Sequence, residues 1–223
     1  MRPSAVFDRN TPLAQLVAGA RVKAYTKNQI LFYSGDTTPE IYVLSKGIVK
    51  TYDIDHQGNE KVLHLLRSPC IMPLTALYEP EHTTEWFYGT VTDCEVFVLA
   101  REALEQRLAT DNDLALYVMK QLSCQMHELF AHVSSLNKTD ARGRLAHVLK
   151  FLAQHYAEDR RGEWRRVTFP VGQQFLADMI GMTRESTTIS TKYLRKAHIV
   201  RYPRNMVLEI NIKNLLAYEP VLT

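Results

Sequence analysis

The stretch that most constrains the fold is residues 173–200, QQFLADMIGMTRESTTISTKYLRKAHIV, which reads as two short helices joined by a tight turn. Phe175, Leu176, Met179 and Ile180 fall at helical spacing with small Ala177 between them. Gly181 stands where the first helix must stop, and glycine takes a positive φ at little cost. Thr183 is placed to N-cap a second helix, whose first turn holds Glu185 and Ser186, groups that suit the helix dipole. A small residue at 177, a glycine at 181 and then a polar helix start form the pattern of a helix-turn-helix. In that motif the second helix enters the major groove of DNA.

The rest of the chain decides what such a motif is attached to. Its 223 residues suffice for two modest domains. No apolar run approaches the roughly eighteen residues of a membrane span. MRPSAVFDRN lacks the apolar core of a signal peptide, so a cytoplasmic protein without membrane contact is expected. Cys70, Cys94 and Cys124 show no CxxC spacing and read as reduced thiols. The net charge of +3 is unevenly spread: residues 1–137 carry 12 Lys and Arg against 16 Asp and Glu, residues 138–223 carry 15 against 8. A basic C-terminal third is the footprint of a chain in which one domain meets a phosphate backbone.

The pattern predicts an α+β chain in three parts: an antiparallel β-roll over 1–110, a dimerisation helix over 111–137 and a winged helix-turn-helix over 138–223. QILFYSG, EIYVLSKG, IVKTYDID, EKVLHLL and CEVFVLA are short β-branched or aromatic runs separated by turn residues, as in a jelly roll. Between 111 and 137 the period changes. Ala115, Met119, Leu122, Met126, Leu129, Val133 and Leu136 recur at spacings of three and four, a heptad seam. The same spacing fits a helix packed on its own domain, but a narrow stripe lasting about three heptads favours a two-stranded coiled coil. A second stripe, Leu114, Leu116, Tyr117 and Val118, is expected to meet the β-domain. Asn137-Lys138-Thr139 breaks the helix as a hinge, and Asp140 is placed to N-cap the next one, ARGRLAHVLKFLAQHYA. The charged loop EDRRGEWRR, a strand VTFPV and a wing of HIVRYP and MVLEINI around Pro203-Arg204-Asn205 complete the last part.

In this order of parts, and in YTKNQILFYSGD, IYVLSKGIVKTYDIDHQGNEKVLHLL, RGRLAHVLKFLA and QQFLADMIGMTRES, the chain resembles the Crp/Fnr family of transcription regulators over nearly its whole length. The resemblance implies a homodimer on a near-palindromic double-stranded DNA site, with RNA polymerase as a further partner. It makes Arg184 and Glu185 the base readers, with Thr188 beside them. Arg matches guanine O6 and N7, and Glu accepts from cytosine N4. Gln173, Gln174, Thr183, Lys192 and Arg204 are then the phosphate-facing set. Met119, Leu122, Met126, Leu129, Val133 and Leu136 form the dimer interface. Many members carry a second Arg where this chain has Ile189, and Ser190 stands at a position usually apolar and inward-facing. Thr187 or Thr188 is therefore expected at a thymine methyl or a phosphate.

The sensor lacks what the resemblance would demand of familiar ligands. Cyclic-nucleotide-binding members carry a Gly-Glu and a later Arg-Ser/Thr-Ala, whereas CIMPLTALYEPEHTTEWFYGTV has no Gly-Glu, and no Arg lies between Arg67 and Arg101. A buried phosphodiester without a cation is poorly compensated. No cysteine cluster precedes Cys70, which removes an N-terminal iron–sulfur site. No cofactor or metal is therefore expected, although His64, Cys70 and His82 keep a haem-based gas sensor open as an alternative. Met72, Tyr78, Trp86 and Tyr88 are candidates for a small-molecule effector pocket, with jelly-roll core as the competing assignment. An effector-less β-roll on a constitutive DNA-binding protein is the other alternative. An enzyme is not expected, and no catalytic residue is assigned: His56, His64 and His82 stand singly, and no Walker loop, dinucleotide fingerprint or nucleophile elbow appears.

Overall fold

The computed structural model describes residues 7, 11–79, 81–136, 140–159 and 162–218. The chain forms two units, Met1–Asp53 with Leu63–Leu129, and Ile54–Val62 with Phe130–Thr223.

In the first unit eight antiparallel strands make two sheets. One has the order β1 (Arg21–Tyr25), β8 (Cys94–Ala100), β3 (Glu40–Lys46), β6 (Cys70–Met72). The other has the order β2 (Ile30–Phe32), β7 (Phe87–Thr90), β4 (Ile48–Ile54), β5 (Glu60–Arg67). The β3 and β8 strands read as continuous apolar runs because both of their faces are covered. Tyr42, Leu44, Val96 and Val98 join Phe32, Val49 and Tyr88 in one cluster. The alternate residues Ile41, Val43 and Phe97 pack with Leu104, Leu114 and Val118 in a second. Period-two alternation sends successive side chains to opposite faces, so both faces stay apolar only when something covers each. The first face is covered by the other sheet and the second by helices: α1 (Pro12–Leu16), α2 (Arg101–Thr110) and the start of α3 (Asn112–Leu136).

The long α3 helix has two unlike sides. Leu114 and Val118 are buried against the sheet, as expected, but Leu116 is exposed, which corrects its assignment to that stripe. Two positions after 114 lies about 200° around a helix, so the two leucines cannot share a face. Further along, the covered side turns polar. The Gln121 side chain accepts from the Ile71 N–H at 3.0 Å and donates to the Ile71 carbonyl at 2.8 Å. It thereby satisfies both backbone groups of edge strand β6, as a neighbouring strand would. Two turns beyond, Glu128 Oε2 sits 2.8 Å from His64 Nε2 on β5.

The second unit begins with α4 (Ala141–His155), whose first turn is capped as expected: the Gly143 N–H donates to Asp140 Oδ1 at 2.6 Å. The hinge residues 137–139 lie outside the described residues. Helices α5 (Gln173–Ile180) and α6 (Arg184–Lys196) follow, then the wing strands β11 (Val200–Arg204) and β12 (Val207–Asn211) and the short α7 (Ile212–Leu216). The four-stranded sheet has the order β11-β12-β10-β9. Its β9 (Ala157–Asp159) and β10 (Trp164–Val167) lie in the stretch expected to be a charged loop. The charges do not prevent a strand because they are partnered. Arg166 Nη2 and Arg201 Nε reach the two oxygens of buried Glu209 at 2.7 and 2.8 Å. The Arg201 guanidinium also lies 4.0 Å from the Trp164 ring centre.

Burial works against the Glu209 charge, but the two guanidiniums outweigh it and hold the carboxyl below its usual range. A depressed folded-state pKa contributes stability above the unfolded value of about 4.3, and that stability is lost as the pH falls through the folded value. Glu209→Gln is expected to cost about 2 kcal/mol at neutral pH, since it leaves half-exposed arginines without their anion. In urea melts of the variant and parent the gap should narrow below about pH 4; a pH-independent gap would show that the charge contributes nothing.

Candidate nucleic-acid interface

Helix α5 ends where the sequence requires. Gly181 adopts φ 64° and ψ 39°, and its N–H donates to the Ala177 carbonyl. The chain then turns at once into α6, which Thr183 caps by accepting the Ser186 N–H at 3.2 Å. Arg184 and Glu185 are exposed in the first turn of α6, where the free N–H groups and the dipole create a positive end.

The seating of α6 is unusual. Its inner face is Thr187, Ser190, Thr191 and Leu194, all buried. Only the last of these is apolar, so the hydroxyls need partners. Thr187 Oγ1 donates to the Thr183 carbonyl at 2.9 Å. Thr191 Oγ1 lies 2.8 Å from the Thr187 carbonyl and 2.9 Å from Gln173 Oε1. The expectation that Thr187 touches DNA is therefore corrected: the residue is fully buried and its proton is used one turn back. Thr188 is half-buried, with its hydroxyl donated to the Arg184 carbonyl at 2.7 Å.

The residues expected at phosphates divide into two kinds. Gln174, Thr183, Lys192 and Arg204 are exposed. Gln173 is instead tied between elements: Oε1 meets Thr191, and Nε2 donates to the Tyr202 hydroxyl at 3.2 Å. Its amide thus joins the start of α5 to α6 and to the wing. Burial of Tyr202 pushes its phenol up to about 12, so it stays protonated at neutral pH. Nothing in the local pattern announced this link, because its three members come from separate elements.

Along α3, Leu116, Met119, Leu122, Met126, Leu129 and Val133 are exposed, as is Phe130 at 67%. The Leu136 side chain lies outside the described residues. Of the four candidates for an effector pocket, Met72 and Tyr88 are buried in the cluster between the two sheets, Trp86 is half-buried and Tyr78 is 75% exposed. Burial raises the Tyr88 phenol pKa, with hydroxyls of Thr75, Thr51 and Thr84 around it. Of the haem candidates, His64 is paired with Glu128, and burial followed by the neighbouring Cys94 pushes the Cys70 thiol up to about 12, a poor state for a ligand. Among the described residues no three His, Cys, Asp or Glu side chains cluster to hold a metal, and no helix is long and apolar enough to cross a membrane.

Comparison with known proteins places these two units. Residues 22–111 match the model of the cyclic nucleotide-binding domain, and residues 143–218 that of the Crp-like helix-turn-helix domain. The HTH-type transcriptional regulator ArcR of Staphylococcus epidermidis is 27% identical over 179 residues, 80% of this chain and 77% of that protein. The global nitrogen regulator of Synechocystis is 23% identical over 187 residues, 83% of each. Among solved structures, the c-di-GMP-responsive regulator CLP of Xanthomonas campestris superposes with a TM-score of 0.76 at 22% identity, covering 89% of this chain and 97% of that one.

The turn within residues 143–218 can be tested by itself. A Cβ built on Gly181 meets nothing within 4 Å, so the φ of 64° is the sole obstacle to a side chain. Gly181→Ala is expected to cost about 1 kcal/mol in thermal or urea melts, the penalty of holding an alanine in the left-handed region. A neutral or stabilising result would mean that the turn relaxes.

Proposed function

Because the chain belongs to the Crp/Fnr regulators, joining a cyclic nucleotide-binding domain to a Crp-like helix-turn-helix, we propose that it works as a homodimer that reads a near-palindromic operator. It is a DNA-binding transcription regulator of that type. The observation that carries the finer reading is the presentation of α6. Its buried hydroxyl face fixes the helix, while Arg184 and Glu185 stand exposed at its positive end. Arg184 offers a fork of donors to guanine, Glu185 an acceptor to cytosine, and Thr188 lies one turn from Arg184. Gln174, Thr183, Lys192 and Arg204 supply phosphate contacts that set register. Gln173 acts chiefly by holding α6 and the wing together.

The exposed α3 stripe supports the dimer. Apolar side chains at 116, 119, 122, 126, 129, 130 and 133 form a contiguous band of the kind that marks an interface. Two copies related by a two-fold axis along this seam present two α6 helices to half-sites about one helical turn, roughly 34 Å, apart. The protein acts in the cytoplasm, and RNA polymerase is its further partner. Its β-roll takes a signal other than a cyclic nucleotide, a small molecule or a redox change, since no Arg lies between Arg67 and Arg101 to meet a phosphodiester. A second reading is a β-roll with no effector, favoured by Met72 and Tyr88 being used in the core.

Selection of duplexes from a random pool with the full-length protein is expected to enrich one inverted repeat. Arg184→Ala should relax it at one symmetric pair of positions, at a loss of about 1–3 kcal/mol per contact. Enrichment unaffected by cyclic AMP, cyclic GMP, oxidant or reductant would support the second reading; an unchanged repeat with the variant would remove Arg184 from the readers. For the dimer, Met126→Glu places a charge in the seam. Sedimentation should show a monomer with unchanged helix content and an operator affinity lower by about 100-fold, the loss of the linked second half-site. A variant that remains dimeric would refute the seam.

A further inference from the structure

The outward row of α6 contains one residue that the base-reading scheme leaves unused. Ile189 is 69% exposed, although its flanks Thr187, Ser190 and Thr191 are nearly or wholly buried. It follows Glu185 by four residues and so lies above it on the same strip of helix surface. The strip is bounded at its far end. Tyr193, four residues on again, has the Arg142 guanidinium 4.8 Å from its ring centre. Lys192, Arg195 and Lys196 are exposed around the remaining turns, giving the helix a cationic rim. Ile189 is therefore a large apolar group on a surface otherwise made for anions, between a carboxylate and a ring that faces an arginine.

We infer that Ile189 is a specificity-determining residue that reads the 5-methyl group of a thymine in each half-site. The inference rests on the reading of α6 as the groove-entering helix and extends it. The chemistry of the groove selects the occupant. Apart from the small C5–H edge of cytosine, the groups that a base pair shows in the major groove are hydrogen-bond donors or acceptors; the thymine methyl is the one bulky apolar group. An isoleucine facing a donor or acceptor would strip its water and return nothing. Facing a methyl, it removes apolar surface on both sides from water. Four residues along a helix advance about 6 Å, and stacked bases are spaced at about 3.4 Å. The thymine thus lies about two base pairs from the pair read by Glu185, away from the one read by Arg184. Thr188 beside it is half-buried, whereas Ile189 stands 69% exposed.

The test is a uracil scan of the selected operator. Thymines are replaced by deoxyuridine one symmetric pair at a time, which deletes the methyl and leaves every hydrogen-bonding group in place. Affinity is measured by fluorescence anisotropy at fixed salt for the full-length protein, Ile189→Ala and Ile189→Val. One symmetric pair is expected to weaken the parent by about 3-fold per half-site, or about 10-fold in all, the scale of one buried methyl group. Ile189→Val should keep most of that penalty, and Ile189→Ala should lose it while binding the thymine operator more weakly. Either a parent indifferent to uracil at every position, or an Ile189→Ala protein with the parental penalty, overturns the inference. In both cases an operator that still relaxes with Arg184→Ala leaves base reading by α6 standing. A protein that enriches no operator overturns both.

Discussion

The α3 helix has more apolar surface than the described residues of the chain cover, and the proposed dimer follows from that. Leu114 and Val118 close the outer face of one sheet, and Gln121 supplies the missing partner of edge strand β6. That side of the helix is then committed to the β-roll. The other side keeps Met119, Met126, Phe130 and Val133 more than half exposed. Burying even half of such a stripe is worth several kcal/mol, at about 25 cal/mol per Å². A second copy of the same helix offers the self-complementary surface that a two-fold axis demands. The proposed two-fold dimer would in turn call for an inverted repeat in the DNA.

Where the first unit relies on apolar layers, the recognition helix relies on hydroxyls. Thr187, Ser190 and Thr191 make up most of its buried face; Thr187 returns its proton to the carbonyl one turn back, and Thr191 shares its one proton between the Thr187 carbonyl and Gln173 Oε1. Such bonds satisfy buried oxygens but contribute less than packing would, and threonine is a poor helix former. The helix is therefore held by directional contacts as much as by its core. Gln173 is central among them, because it ties Thr191 to Tyr202 and so couples the helix to the wing. On a helix seated in this way, small changes at the inner face should be transmitted to the reading face.

Much of this was legible in the sequence wherever the signal was local. The glycine at 181, the caps at Thr183 and Asp140, and five of the β-roll strands follow from neighbours within a few residues. The β6 strand was missed because three residues carry no period, and α2 because Leu104 is its one buried side chain and no stripe marks a helix there. Arg165 and Arg166 read as loop because the partner that makes a strand possible, Glu209, is 43 residues from Arg166. The same holds for His64 with Glu128 and for Ile71 with Gln121, pairings between distant positions that no spacing rule contains. At the candidate interface, the exposed start of α6 was legible and the support behind it was not. Thr187 looked like a second reader because a threonine on a recognition helix suits either face; its burial decided the matter.

In the proposed dimer, two copies of α6 read bases symmetrically with Arg184 on guanine. Methylation interference tests it most directly, since dimethyl sulfate places a methyl on the guanine N7 that Arg184 would contact. Operator DNA methylated at about one site per duplex is partitioned between bound and free fractions. One pair of guanines, related by the operator two-fold and facing the same side of the helix, is expected to be depleted from the bound fraction. Depletion at a single guanine, or at none, would contradict it.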